Sequence, residues 1–321
     1  MTINHLFPLR NKQFHTVLAT VSVFLFLILF TDQLILFLGK KLEKTPYWDS
    51  TLPTSLSRLP DAKFFIFGDC RARYTVNPEK LRNHLNVKAF NLAITTSSSI
   101  LGYSDFYLNV LLSQGHKGYG IFMVSDALLT ETESNIQAGF NEQRYWQNFI
   151  SPNRLQRLNQ DYPLKSPLYS SGLYLYFGRG VELLRSATRW GLRRKFRSTF
   201  DNFMQPDLFN TDKADWFEQN FSEIGEKTKT SFSPNPYAVQ KLKNILKESK
   251  NSGVYPILVL PPAHLLYSNL KFRSELNQVV SDVAKELDIP LINYQFPDDR
   301  FSKNNHLWVE MIHLNLEGSN R

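Results

Sequence analysis

Five short apolar runs, separated by stretches of helical spacing, constrain this chain more than any other feature. They are Ala62–Phe67 (AKFFIF), 87–93 (VKAFNLA), 119–124 (YGIFMV), Val254–Leu260 (VYPILVL) and 290–294. Each is apolar at most positions and too short for a helix, the pattern of strands buried on both faces. A helix opens at Pro78, with Asn77 as N-cap and Pro78 at the first helical position. Residues 100–112 have helical spacing behind a cap supplied by Ser97, Ser98 or Ser99, and 271–287 form another helical stretch. Strands that alternate with helices pair in parallel through right-handed crossovers. The expected class is α/β: a flavodoxin-like three-layer α/β/α sandwich around a central parallel sheet. Its active residues belong at the carboxyl ends of the strands.

Two segments fall outside this pattern. Residues 17–39 (VLATVSVFLFLILFTDQLILFLG) carry one charge, Asp32, and follow a short tail, 1–16. A helix of that length spans a bilayer core of about 30 Å. Lys40-Lys41 follow where a signal peptide would have small residues, so the reading is an uncleaved, single-pass anchor. Asp32 either snorkels or pairs with a membrane partner. A Pro-, Ser- and Thr-rich linker, 40–61, leads to the folded part, 62–321. That part is interrupted at about 127–235 by a largely helical, aromatic-rich insertion, suited to a lid or docking surface.

Charge and cysteine content narrow the partners. The formal charge is +8, and Arg179, Arg185, Arg189, Arg193, Arg194, Lys195 and Arg197 face one acid, Glu182. Leu183, Leu184, Trp190, Leu192 and Phe196 are interleaved with them. This reads as either a solvated helix face or a helix lying on anionic lipid through Arg185, Arg189, Arg193, Arg194 and Arg197. No nucleic-acid-binding signature accompanies the charge. The single cysteine, Cys70, excludes an intrachain disulfide and a cysteine-based metal cluster. No metal or cofactor is required by the pattern.

Three strand ends and one late motif supply reactive groups. The first strand ends in Gly68-Asp69-Cys70-Arg71, the second in Asn91-Leu92-Ala93 followed by Thr95 and Thr96, and the third in Ser125-Asp126. Near the end stands EMIHLNLEG, with Glu310 and His313. A thiol on a tight turn, an imidazole that reaches it and a carboxylate that orients the imidazole make a nucleophile–base–acid set. A free cysteine taken alone is more often a small buried residue. Asp69 and Asp126 also suit helix caps. Arg71 suits either an anionic substrate or a pairing with Asp126.

These motifs resemble the SGNH (GDSL-type) hydrolase superfamily. The likeness is strongest to its membrane-anchored branch of DltD-like and alginate O-acetylation proteins, with a Gly-Asp-nucleophile-Arg turn, an NLA block and a terminal HLN-x-x-G. The resemblance covers about 62–126 and 253–318. It implies an extracytoplasmic domain working beside a membrane-embedded acyltransferase or polysaccharide-assembly partner. Its activity would be acyltransferase or esterase chemistry on an envelope polysaccharide or glycopolymer. It implies Cys70 as nucleophile, His313 as base and Glu310 as orienting acid. Asn91, Thr95, Thr96 and Ser125 are candidate oxyanion donors, and Arg71 and His264 candidate substrate contacts. The chain departs from the family in having Cys70 for serine, Glu310 for aspartate, Ser125 for a frequent asparagine, and no glycine in the second block. Members usually continue into a closing helix; either this protein lacks it or the sequence is truncated. The lost second-block glycine and the serine-to-cysteine change also fit an inactive assembly or scaffold protein.

Overall fold

The computed structural model describes residues 11–43, 62–94, 99–143, 147, 149–163, 188, 228–295, 307–310 and 313–314. Two compact units emerge: Met1–Asp49 with Leu164–Arg197, and Ser50–Pro163 with Ser198–Arg321. In the first unit the described element is α1 (Asn11–Glu43), within which His15–Gly39 is long and apolar enough to cross a membrane. Its length and composition are those of a membrane anchor or a signal sequence. The basic residues Arg185, Arg189, Arg193, Arg194 and Arg197 lie outside the described residues.

The second unit is built on five parallel strands: β1 (Ala62–Phe67), β2 (Lys88–Asn91), β3 (Gly118–Met123), β4 (Val254–Leu260) and β5 (Leu291–Asn293). Their order is β2-β1-β3-β4-β5. Between β1 and β2 come α2 (Cys70–Thr75) and α3 (Pro78–Leu85), and α4 (Ile100–Ser113) leads into β3. After β3 follow α5 (Asp126–Leu129), α6 (Glu133–Glu142), α7 (Pro152–Asp161) and α8 (Pro236–Asn251). A 3-10 turn (Leu265–Tyr267) and α9 (Leu270–Leu287) connect β4 to β5. A short antiparallel pair closes the described chain, β6 (Trp308–Glu310) with β7 (His313–Leu314).

The two sheet faces differ in cover. Phe65, Phe67, Phe122, Leu258 and Leu260 point into one large core with Phe106, Leu108 and Val110 of α4, Leu242 and Ile245 of α8, and Leu276 and Val280 of α9. Each such side chain stabilises the fold by about 1.5–3 kcal/mol when fully buried. The opposite face has a smaller cluster, Ile66, Met123, Val259 and Ala93, under Ala72, Val76 and Leu81 of the α2–α3 segment.

The stretch read from sequence as an insertion starts inside this core. Ile136 and Phe140 of α6, Phe149, Ile150, Leu158 of α7 and Tyr162 join the large cluster. The Phe140 and Tyr162 rings stack at 3.8 Å. Helix α6 lies so close to α4 that a Cβ on Gly102 would meet the Ile136 carbonyl oxygen at 2.4 Å, and one on Gly139 would meet Ser99 Cβ at 2.6 Å. Only glycine allows that approach. The remainder, 164–227 apart from Thr188, lies outside the described residues.

Candidate functional site

At the carboxyl edge of the sheet, β1 turns sharply into α2. Gly68 makes the turn with φ of 145°, and a Cβ there would meet Ala72 Cβ at 2.8 Å and the Met123 carbonyl oxygen at 2.9 Å. A side chain would be excluded both by the backbone conformation and by contact. Asp69 then caps α2, its Oδ1 accepting from the Arg71 amide at 2.9 Å. Cys70 is the first residue of the helix and is half-buried.

The β6–β7 pair brings the late motif to this helix. The Tyr74 ring meets the His313 ring edge-on at 5.2 Å. Cys70 and Tyr74 are four residues apart on one helix and therefore share a face, so the face bearing Cys70 is the one turned toward β7. Glu310 is the cross-strand partner of His313 in the β6–β7 register, rather than a neighbour on the same helical turn. Trp308 and Leu314 are fully buried and fix the pair in place, with the Trp308 ring edge-on to His264 at 5.9 Å. Thiol, imidazole and carboxylate are the groups of nucleophilic acyl transfer.

Beside Cys70 lies a buried charge network that joins β1, β3 and the segment after β4. Arg71 donates through Nε to Asp69 at 3.1 Å and through Nη2 to Asp126 at 2.9 Å. Asp126 also accepts from Lys229 Nζ at 2.5 Å and from the Tyr267 hydroxyl at 2.8 Å. The Lys229 ammonium donates to the Tyr267 oxygen at 2.8 Å and sits 4.7 Å from the Tyr267 ring centre. Two acids and two bases balance. Burial alone would raise the Asp126 carboxyl, but Arg71 and Lys229 outweigh it and hold the group well below the usual carboxylate range. Burial works against the Arg71 charge too, and Asp69 and Asp126 more than offset it. Burial pushes the Tyr267 phenol up.

Glu131 is placed differently. Its carboxylate accepts from the Ser99 hydroxyl at 2.7 Å and from the Ile100 and Leu101 amides at 2.5 and 3.1 Å. It therefore closes the N-terminus of α4, where a negative charge is favoured. Burial nonetheless raises its pKa, helped by the nearby Asp69 charge.

Several sequence expectations are corrected here. The Asn91 amide donates to the Ala72, Arg73 and Val76 carbonyls at 3.2 to 3.4 Å, and its oxygen accepts from the Ala93 amide. It ties the end of α2 to β2 and is not turned to a ligand. Ser125 is fully buried and caps α5, accepting from the Leu128 amide. His264 is buried, with Nδ1 accepting from the Leu266 amide at 3.2 Å, so it caps the 3-10 turn instead of lining a groove. Arg71 takes the Asp126 pairing rather than an open anion-clamp position. Thr95 and Thr96 lie outside the described residues. Lys229, Tyr267, Glu131 and Tyr74 were not singled out from the sequence. For Tyr267 a signal existed, since it follows His264 in the same PPAHLLY loop. For Lys229 there was none. Among the described residues no group of three or more His, Cys, Asp or Glu could hold a metal ion. No protein-family model matches the chain, and no curated protein matches it.

Proposed function

We propose that this chain is a membrane-anchored, SGNH-like acyltransferase or esterase that acts on an envelope polysaccharide or glycopolymer from the extracytoplasmic side. The single observation that carries this reading is the Cys70–Tyr74 face of α2 set against His313. The strand order β2-β1-β3-β4-β5 supports it, being that of flavodoxin-like sandwiches with sites at the carboxyl edge. In the first step His313 takes the Cys70 proton, the sulfur attacks the carbonyl of an acyl ester, and the donor alcohol leaves with that proton. A thioester remains on Cys70. A sugar hydroxyl, or water, then attacks it, giving its proton to His313 and restoring the thiol. Glu310 orients the imidazole. The Cys70 amide at the start of α2 is a donor for the oxyanion.

The test is intact-mass measurement of the full chain after exposure to a small activated acyl ester. One acyl adduct is expected, absent in Cys70→Ala. In His313→Ala it should form at least about 10²-fold more slowly. Acylation at the same rate without His313 overturns the mechanism.

A second reading, an inactive scaffold for a membrane-embedded acyltransferase or polysaccharide-assembly complex, is favoured by one observation. Of the expected oxyanion donors, the Asn91 amide donates within the fold and the Ser125 hydroxyl is fully buried. Under this reading Cys70→Ala leaves polymer modification in cells unchanged.

A further inference from the structure

The less covered face of the sheet is uneven along its length. By register, Phe64, Tyr119 and Tyr255 form one row across β1, β3 and β4, and Ile66, Ile121 and Ile257 the next. Phe64 stacks on Tyr119 at 5.2 Å, and Tyr119 meets Tyr255 edge-on at 6.3 Å. Toward the carboxyl edge Met123 and Val259 are buried beneath the α2–α3 segment. Toward the amino edge the cover runs out: Tyr119 is 45% exposed and Tyr255 38%. Leu85, at the end of α3 and 51% exposed, reaches the same edge, because β2 starts three residues later opposite Ala62.

That edge is basic. Lys63, Lys88 and Lys117 stand at the starts of β1, β2 and β3, and Lys250 Nζ lies 6.0 Å from the Tyr255 ring. Among the described residues Asp288 lies beside them, 3.8 Å from Lys250. The outermost row is aromatic with phenol tips and is edged with lysines. That composition suits the headgroup layer of a bilayer, where amphipathic rings sit at the interface and lysine stems bury while their heads meet phosphate.

We propose that this amino-edge patch, Phe64, Leu85, Tyr119 and Tyr255 with Lys63 and Lys117, docks on an anionic phospholipid surface. The proposal rests on the anchor reading, which holds the domain beside headgroups, and is independent of any chemistry at Cys70. Docking by the amino edge turns the carboxyl edge, with Cys70 and the Asp126 network, away from the lipid and toward a soluble polymer.

The test uses the full chain in vesicles, in a Cys70→Ser background that leaves no other cysteine. An environment-sensitive fluorophore is placed at Leu85→Cys or at Leu270→Cys, the latter 69% exposed at the opposite edge where α9 begins. The quencher is a spin label on lipid headgroups. Quenching should be several-fold stronger at 85 than at 270 in vesicles containing phosphatidylglycerol, and the difference should vanish in pure phosphatidylcholine. Lys63→Gln and Lys117→Gln should each lower the docked-to-free ratio about fivefold. Equal quenching at both positions, or stronger quenching at 270, overturns the proposal. So does shielding of the 85 reporter that disappears as protein is diluted in the bilayer, which would assign the patch to a second copy. Alkaline extraction reads the anchor separately. A chain that washes off yet keeps the difference at neutral pH retains the docking and loses the anchor, and one that washes off without a difference loses both.

Discussion

Asp126 and Asp105 are both buried carboxylates that accept from a lysine ammonium and a tyrosine hydroxyl, but they sit in different places. Asp105, on α4, accepts from Lys241 at 2.7 Å, Tyr162 at 2.8 Å and Asn109 at 2.9 Å, among packed helices. The Lys241 side chain is 10% exposed and lies 4.4 Å from the Tyr162 ring centre. Asp126, at the strand ends, has two cations, of which Lys229 is 43% exposed. The interior set staples α8 and the end of α7 to the helix covering the sheet. The strand-end set locks the Cys70 turn to β3 and leaves one charge at the surface. Similar donors thus do two jobs, and the difference lies in which member water can replace.

Asp126→Ala should have the largest effect. It strips a wholly buried guanidinium of one partner and is expected to cost about 3–5 kcal/mol in urea unfolding. Asp105→Ala should cost less, because Lys241 keeps the Tyr162 ring. The reverse order would break the comparison.

Acid titration comes next. The folded pKa of Asp126 lies below its unfolded value of about 3.9, so its contribution is present above that pH and is lost as pH falls toward the folded value. Glu131 runs the other way. Its folded pKa is raised, so stability declines as pH rises from about 4.3 through the raised value. Unfolding midpoints across pH should lose the acid-side slope in Asp126→Asn and the opposing slope in Glu131→Gln.

Smaller effects sharpen the contrast. Tyr162→Phe is expected to cost about 1–1.5 kcal/mol by thermal unfolding, and Tyr267→Phe less, since Asp126 keeps two cations. Lys229→Gln should cost under about 1 kcal/mol, and the loss should shrink with added salt. A salt-insensitive loss would show that Lys229 acts as an interior residue.

Much of the framework was legible because it is local. Ala62–Phe67 and Val254–Leu260 are strands with the limits read from their apolar runs. Asn77 and Ser99 cap the helices that follow them, each through its side chain. The strand at 87–93 shrinks to Lys88–Asn91, although the Leu92 and Ile94 amides still donate to the Ile66 and Gly68 carbonyls at the end of β1. At the candidate site, residue types and order singled out Cys70, Glu310 and His313. The pairing of Glu310 with His313 across two short strands was not legible, because it depends on a chain reversal that periodicity does not report.

By itself the sequence determined the alternation of strand and helix, the caps, the apolar helix and the glycine turn before Cys70. These follow from backbone sterics and hydrophobic period within a few residues. Only the tertiary structure decided that Arg71 joins Asp126, that Lys229 closes the network across a separation of 103 residues, and that Asn91 serves the fold. It also decided which sheet face is covered. A buried charge takes whichever partner the packed strands bring within about 3 Å, and that choice is made by the fold as a whole.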